Sequence, residues 1–189
     1  MLRAFWKLYW KWSGWSFSGQ FPYQEQKLLI IVAPHTTWKD VLIGFATRAQ
    51  LNIPDIKFLG KKELFDGPFG WFFCWMGGTP VDRFSSHGVV AQVAGFFTSH
   101  ERFILAMAPE GTRKRVDKLR TGFYHIAQTA RVPLLMAGLD FENRRVVFSE
   151  PFYTSGDEEA DFRKIIRFFS RFKGANPEQD LRHLGENKK

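Results

Sequence analysis

A histidine followed five residues later by an aspartate, His35-Thr-Thr-Trp-Lys-Asp40, is the pairing in this chain best suited to moving a proton. Imidazole exchanges protons near neutral pH, and a carboxylate on its second nitrogen fixes the tautomer and favours the protonated form. Five residues of ideal helix turn through about 140°, so side chains at this spacing cannot share a helix face. They meet only if His35 sits on the loop before a helix and Asp40 reaches back from the first turn. The surrounding residues allow that. An apolar, β-branched run, Leu28–Ala33, ends at Pro34, and helical periodicity runs from about Trp38 to Leu51. Thr37 followed by Asp40 also reads as a capping box, in which the acid serves the helix N-terminus and no chemistry at all.

Three other strand ends carry basic groups. Pro109-Glu110-Gly111-Thr112-Arg113 follows the apolar run Phe103–Ala108. Gly111 permits a tight turn close to a ligand, and Arg113 can grip a phosphate with two parallel hydrogen bonds. Lys114, Arg115, Lys118 and Arg120 crowd the same loop. Gly77-Gly-Thr-Pro-Val-Asp-Arg83 ends a further short strand, and Lys61 and Lys62 follow the strand Ile56–Gly60. A basic loop is usually only a solvated surface. Four loops of this kind at strand ends are different, because open α/β sheets place their ligands there.

The elements that must position these groups alternate. Apolar runs at 28–33, 56–60 and 103–108 are separated by helical patterns at 38–51 and 89–97, and a further helix covers 122–130. Pro133–Phe141 and Arg144–Phe152 form a hairpin around Glu142–Asn143. A helix over roughly Glu158–Lys173 carries the stripe Phe162, Ile165, Ile166, Phe169 and Phe172. This predicts an α/β fold: a single domain with a mixed, mostly parallel sheet flanked by helices. Residues 21–174 make up that domain, and 175–189 form a polar, loosely ordered tail.

Residues 1–20 are set apart. Four of the seven tryptophans (Trp6, Trp10, Trp12, Trp15) fall there, and Arg3, Lys7 and Lys11 form one column on a helix. The pattern is that of an amphipathic helix in the headgroup region of a membrane, although a core-docked helix with a basic edge would share it. The chain is 17% aromatic with a formal net charge of +8, so its partner is anionic. The tryptophans favour lipid over nucleic acid, for which no motif is present. No stretch of about 18 apolar residues could span a bilayer, and Lys7 and Lys11 interrupt what would otherwise resemble a signal peptide. The single cysteine, Cys74, fits a reducing compartment, and no His/Cys spacing suggests a metal. Trp71–Met76 is either helix core, an apolar channel or a second membrane contact. His87, His100, His125 and His183 lack a carboxylate at comparable spacing and are expected to be structural or solvated.

Taken in order, His-x4-Asp, Lys-Lys-Glu-Leu-Phe, Gly-x-x-x-Val-Asp-Arg, Pro-Glu-Gly-Thr-Arg and a Val-Pro opening a strand resemble the glycerolipid acyltransferase family, whose best-known members are the 1-acylglycerol-3-phosphate acyltransferases. The likeness runs from about Leu28 to Pro151. It implies that His35 takes the proton from an acceptor hydroxyl and that Asp40 orients it. It also implies that Arg83 and Arg113, with Lys61, bind the acceptor phosphate, and that Glu110, Gly111 and Thr112 shape the substrate site. The donor would be acyl-coenzyme A or acyl carrier protein as co-substrate, with no cofactor, and the acceptor a lysophosphatidic-acid-like lipid. Placement would be peripheral, on the cytoplasmic membrane face. Pro34 stands where the family often has Asn, and Thr79-Pro80 where it commonly has a larger apolar residue. These departures leave open another lyso-lipid or amino-lipid acceptor, and a non-catalytic anionic-lipid binder would keep the same basic surface.

Overall fold

A computed structural model describes residues 2–53, 55–82 and 88–186. Strand side chains alternate between faces, and the central strands place apolar groups on both. In β2 (Lys27–Ala33), Leu29, Ile31 and Ala33 point into one core and Leu28 and Ile30 into the other. β5 (Phe103–Met107) and β6 (Leu134–Asp140) divide their residues the same way. A strand buried on both faces needs helices on both, and the chain supplies them.

With β1 (Ser16–Ser18), β3 (Ile56–Lys61), β4 (Gly78–Val81) and β7 (Arg145–Phe148), these strands form one sheet in the order β1-β7-β6-β2-β5-β3-β4. Every neighbouring pair is parallel except the β6–β7 hairpin. The result is the single α/β domain with a mostly parallel sheet that the alternating pattern implied. One face carries α1 (Leu2–Ser13) and α2 (Lys39–Gln50), with Trp10, Ile43 and Ala46 in its core. The other carries α5 (Gly88–Ser99), α6 (Gly122–Ala130) and α7 (Glu158–Phe169), packed through Phe97, Phe123, Tyr124 and Phe169. Two short helices, α3 (Lys62–Asp66) and α4 (Gly70–Trp75), join β3 to β4. No helix among the described residues is long and apolar enough to cross a membrane.

Two expectations change at this level. Residues 175–186 of the tail do not trail loosely: a 3-10 turn (Pro177–Gln179) and α8 (Arg182–Glu186) bring Leu181 and Leu184 into the core. Those two leucines are three apart, and one apolar pair in a polar segment is too short a pattern to stand out. The N-terminal helix is also more than a surface element. Trp10 and Trp15 are buried, Trp10 stacks on Phe17, and Trp6 stacks on Phe45 of α2. Phe5, Leu8 and Trp12 stay exposed on its outer side. The helix is docked and amphipathic at once.

Candidate active site

Parallel strands that start together end together, and the register shows which ends meet. Ile31 of β2 pairs with Met107 of β5, and Phe58 of β3 with Ala106 of β5. His35, Pro109–Arg113 and Lys61 therefore leave the sheet at the same edge. His35 lies in the loop between β2 and α2, as the spacing required, and the Ala33–Pro34 peptide before it is cis.

Asp40 is buried in the first turn of α2 and folds back over that loop. Its Oδ2 accepts hydrogen bonds from the backbone N–H of Thr36 (2.7 Å) and Thr37 (2.8 Å). The same oxygen lies 3.1 Å from His35 Nδ1. Of the capping box only the reach of Asp40 back to the Thr37 N–H is present, since no side chain caps the helix at Trp38, and that same oxygen serves the dyad. Two backbone donors hold the carboxylate still, and the carboxylate turns the ring. With Nδ1–H directed at Asp40, Nε2 carries the lone pair, an assignment that follows from the hydrogen-bond network. Arg113 Nε approaches that nitrogen at 3.4 Å. The ring retains 22% exposure, enough for Nε2 to be reached from outside.

Glu110 supplies the floor. It is 2% exposed, and its Oε1 accepts the His35 backbone N–H at 2.7 Å. Its Oε2, like Asp40 Oδ1, is buried and has no hydrogen-bond partner among the described residues. Burial raises the Glu110 carboxyl to about 7, and the nearby Asp40 charge pushes the same way, against the His35 N–H, the residue's own N–H and the imidazole, which lower it. A proton on Glu110 near neutrality relieves the crowding of two carboxylates in one dry site. Gly111 follows in the left-handed region at φ +66°, and a Cβ there would stand 3.3 Å from Arg120 Cγ. The turn needs glycine to let Arg113 double back toward His35.

The structure thus gathers His35, Asp40, Glu110, Gly111 and Arg113. Thr112 turns its hydroxyl to the Lys114 N–H at 3.2 Å and shapes the loop from within. Lys61 is exposed at the end of β3, on the same edge but without a contact to the dyad. Arg83, and with it His87, lies outside the described residues. The remaining histidines behave as surface or packing groups: His100 Nδ1 contacts Phe96 O, and His183 Nε2 contacts Val116 O. Sequence reasoning passed over Thr36 and the tail residues that touch it. Asn176 Nδ2 donates to Thr36 O at 2.9 Å, a contact across 140 positions that no local pattern announces.

Two cavities lie away from the dyad. One of about 310 Å³ is lined by the end of α6 and residues 153–156. One of about 210 Å³ lies between α1, α2 and α4, lined by Arg3, Trp6, Phe45, Arg48, Trp75 and Met76 among others. Around it, Phe69, Trp71 and Trp75 are exposed. The Trp71–Met76 run is therefore not packed core. Only Gly70 of α4 is buried; Trp71, Phe72 and Trp75 are exposed, and Phe73 is half-buried against Phe65.

The family model described as Acyltransferase matches residues 16–139, which include both the His35–Asp40 loop and the Glu110–Arg113 loop. No curated protein matches the sequence. A similar solved structure is the 1-acyl-sn-glycerophosphate (LPA) acyltransferase PlsC from Thermotoga maritima. It is 17% identical, the match covers 89% of this chain and 75% of that one, and the TM-score is 0.59. At that identity the likeness speaks for the fold.

Proposed function

Because the chain belongs to the Acyltransferase family, whose model spans residues 16–139, we propose that it moves a fatty acyl chain from a thioester donor to the hydroxyl of a phosphorylated, lysophosphatidic-acid-like glycerolipid. The observation that carries this reading is the 3.1 Å approach of Asp40 Oδ2 to His35 Nδ1, which leaves Nε2 facing the loop that bears Arg113. The substrate named for the similar PlsC structure, an acyl-glycerophosphate, supports the choice of acceptor.

In this reading Arg113 leaves His35 when an anionic acceptor arrives and takes the phosphate, with Lys61 and Arg83 as further cations. The acceptor hydroxyl then lies against Nε2. As its oxygen attacks the thioester carbonyl carbon, its proton passes to Nε2, and Asp40 stabilises the imidazolium that forms. The tetrahedral intermediate collapses, the C–S bond breaks, and the departing thiolate takes the proton from Nε2. His35 ends as it began. Acyl-coenzyme A and acyl carrier protein both present such a thioester, and no cofactor is required.

The protein reaches its substrate on a membrane surface. The exposed side of α1 joins Phe5, Leu8 and Trp12 to the Arg3–Lys7–Lys11 column, and the exposed rings of α4 border the same face. Aromatic rings beside cations suit the headgroup region of an anionic leaflet, which in this reading is the cytoplasmic one.

The deciding assay supplies acyl-coenzyme A or acyl carrier protein thioester with lysophosphatidic acid, its dephosphorylated monoacylglycerol, or a lyso-amino-lipid. Transfer to the phosphate-bearing acceptor is expected. Transfer only to an amino-lipid would keep the chemistry and reassign the acceptor. Liposome binding without transfer to any of them would make the chain a lipid-binding member of its family.

A further inference from the structure

We infer that the C-terminal strap, Gly174–Glu186, positions the catalytic groups, and that Asn176 acts on the His35–Asp40 pair through the peptide between Thr36 and Thr37. The inference rests on the dyad reading above and goes beyond it. The strap also lies outside the stretch that the family model matches, which ends at residue 139.

The hydrogen bonds trace one path. Asn176 Nδ2 donates to Thr36 O at 2.9 Å, and the Asn176 backbone N–H donates to Thr36 Oγ1 at 3.2 Å. The carbonyl that receives Nδ2 belongs to the same peptide unit as the Thr37 N–H. That N–H donates to Asp40 Oδ2 at 2.8 Å, the oxygen that faces His35 Nδ1. One rigid peptide is therefore gripped at its oxygen by the strap and at its N–H by the dyad carboxylate. Bonds in such a chain polarise one another, and Thr36, at 3% exposure, is shielded from competing water.

The strap grips the second loop as well. When its amide is oriented so that both ends meet complementary groups, Gln179 donates to Arg113 O at 2.8 Å and to Thr36 O at 3.1 Å. Gln179 thereby spans the two loops at once. His183 Nε2 meets Val116 O at 2.9 Å. The strap itself is pinned: Asp180 is buried, its Oδ2 accepts from Arg182 Nε at 2.8 Å, and Leu181 and Leu184 are in the core. Gly174 lets the chain come this near, since a Cβ there would stand 2.9 Å from Thr36 Cγ2. A segment needed only to cover the core has no reason to bond both loops of the site.

The test is a double-mutant cycle in the full-length protein, measuring kcat, KM and melting for Asn176→Ala, Asn176→Asp, Asp40→Asn and the combinations. Asn176→Ala should lower kcat about five- to tenfold, the range of one lost hydrogen bond, with KM for the acceptor unchanged. Asn176→Asp keeps the shape but removes the donor, and should lose at least as much. In the Asp40→Asn background, Asn176→Ala should cost less than twofold, because its route to His35 is already cut. A full five- to tenfold loss in that background would overturn the inference, as would a rise in KM alone or unfolding of both Asn176 variants at the assay temperature. Full activity in both Asn176 variants, with Asp40→Asn inactive, would overturn it while leaving the dyad reading intact. Full activity in Asp40→Asn would remove the dyad reading and this inference with it.

Discussion

Asp40 Oδ2 collects two backbone N–H groups and one imidazole, and that crowding separates its two roles experimentally. Asn keeps a side-chain oxygen for the Thr36 and Thr37 N–H groups, so Asp40→Asn should melt within a few degrees of the parent. It cannot hold the His35 tautomer in the same way, and activity should fall about 10²–10⁴-fold, as should that of His35→Ala. Near-normal turnover in Asp40→Asn would leave the residue as a brace of the loop alone. Arg113→Ala should weaken use of the phosphate-bearing acceptor about 10- to 150-fold, the worth of one charge-assisted contact, and spare the dephosphorylated one. Equal loss on both acceptors would make the arginine structural. Glu110 yields a prediction of different kind. Its proton is held up to about 7 in the folded protein, above the usual carboxylate value of 4.5. The unfolded chain releases that proton first, so the stability this group contributes is complete below pH 4.5 and is lost as pH rises through 7. The loss is on the order of 3 kcal/mol from such a shift. Glu110→Gln keeps an acceptor for the His35 N–H and cannot ionise. Its urea midpoint should fall less than the parent's between pH 5 and pH 8. At this scale His35, Asp40 and Arg113 were legible as candidates from residue type and spacing, and Glu110 only through the family resemblance. Asn176 and Gln179 were not, because their meaning is a tertiary contact and their own neighbourhood is ordinary polar loop.

Among the elements, α1 divides its labour by face. Trp6, Tyr9 and Trp10 turn toward the body, while Phe5, Leu8 and Trp12 are left outside beside the basic column. Basic residues near an anionic leaflet contribute about 1 kcal/mol each, so Lys7→Glu with Lys11→Glu should release the protein from anionic liposomes in a sedimentation assay. Binding should remain salt-sensitive in the parent and become weak at every salt concentration in the variant. If the double variant still sediments, the exposed rings of α4 carry the contact, and Trp71→Ala with Trp75→Ala becomes the discriminating pair. The long strands and helices of this fold were readable because their periods persist over several residues. The two alternations of β2, β5 and β6, both apolar, announced a sheet covered on both faces. β1 has three residues, and α3, α4 and α8 have five or six. Elements of that length have no period to detect, and only their neighbours fix them.

Across the molecule, the site is a property of the sheet's edge. Parallel registry brings β2, β5 and β3 to their ends together, so the loops after them are neighbours although they lie far apart in the chain. The opposite edge of the sequence-to-space map is β1. Its three residues pair with β7, aligning Ser16 with Arg145 and Ser18 with Val147. Closing that 129-residue span costs about 2 kcal/mol more than closing one of about ten residues, at about 0.6 kcal/mol for each doubling. In time the effect is larger, because contacts between distant residues form after local ones. β2 pairs with β5 and β6 across 76 and 105 positions, whereas β1 pairs across 129 and must wait until the β6–β7 hairpin has presented a free edge. In refolding followed by pulsed hydrogen exchange, the amides of Phe17 and Ser18 should gain protection after those of Ile30 and Ile31. The helix bearing the outward aromatic rings would thus be fastened to the sheet last.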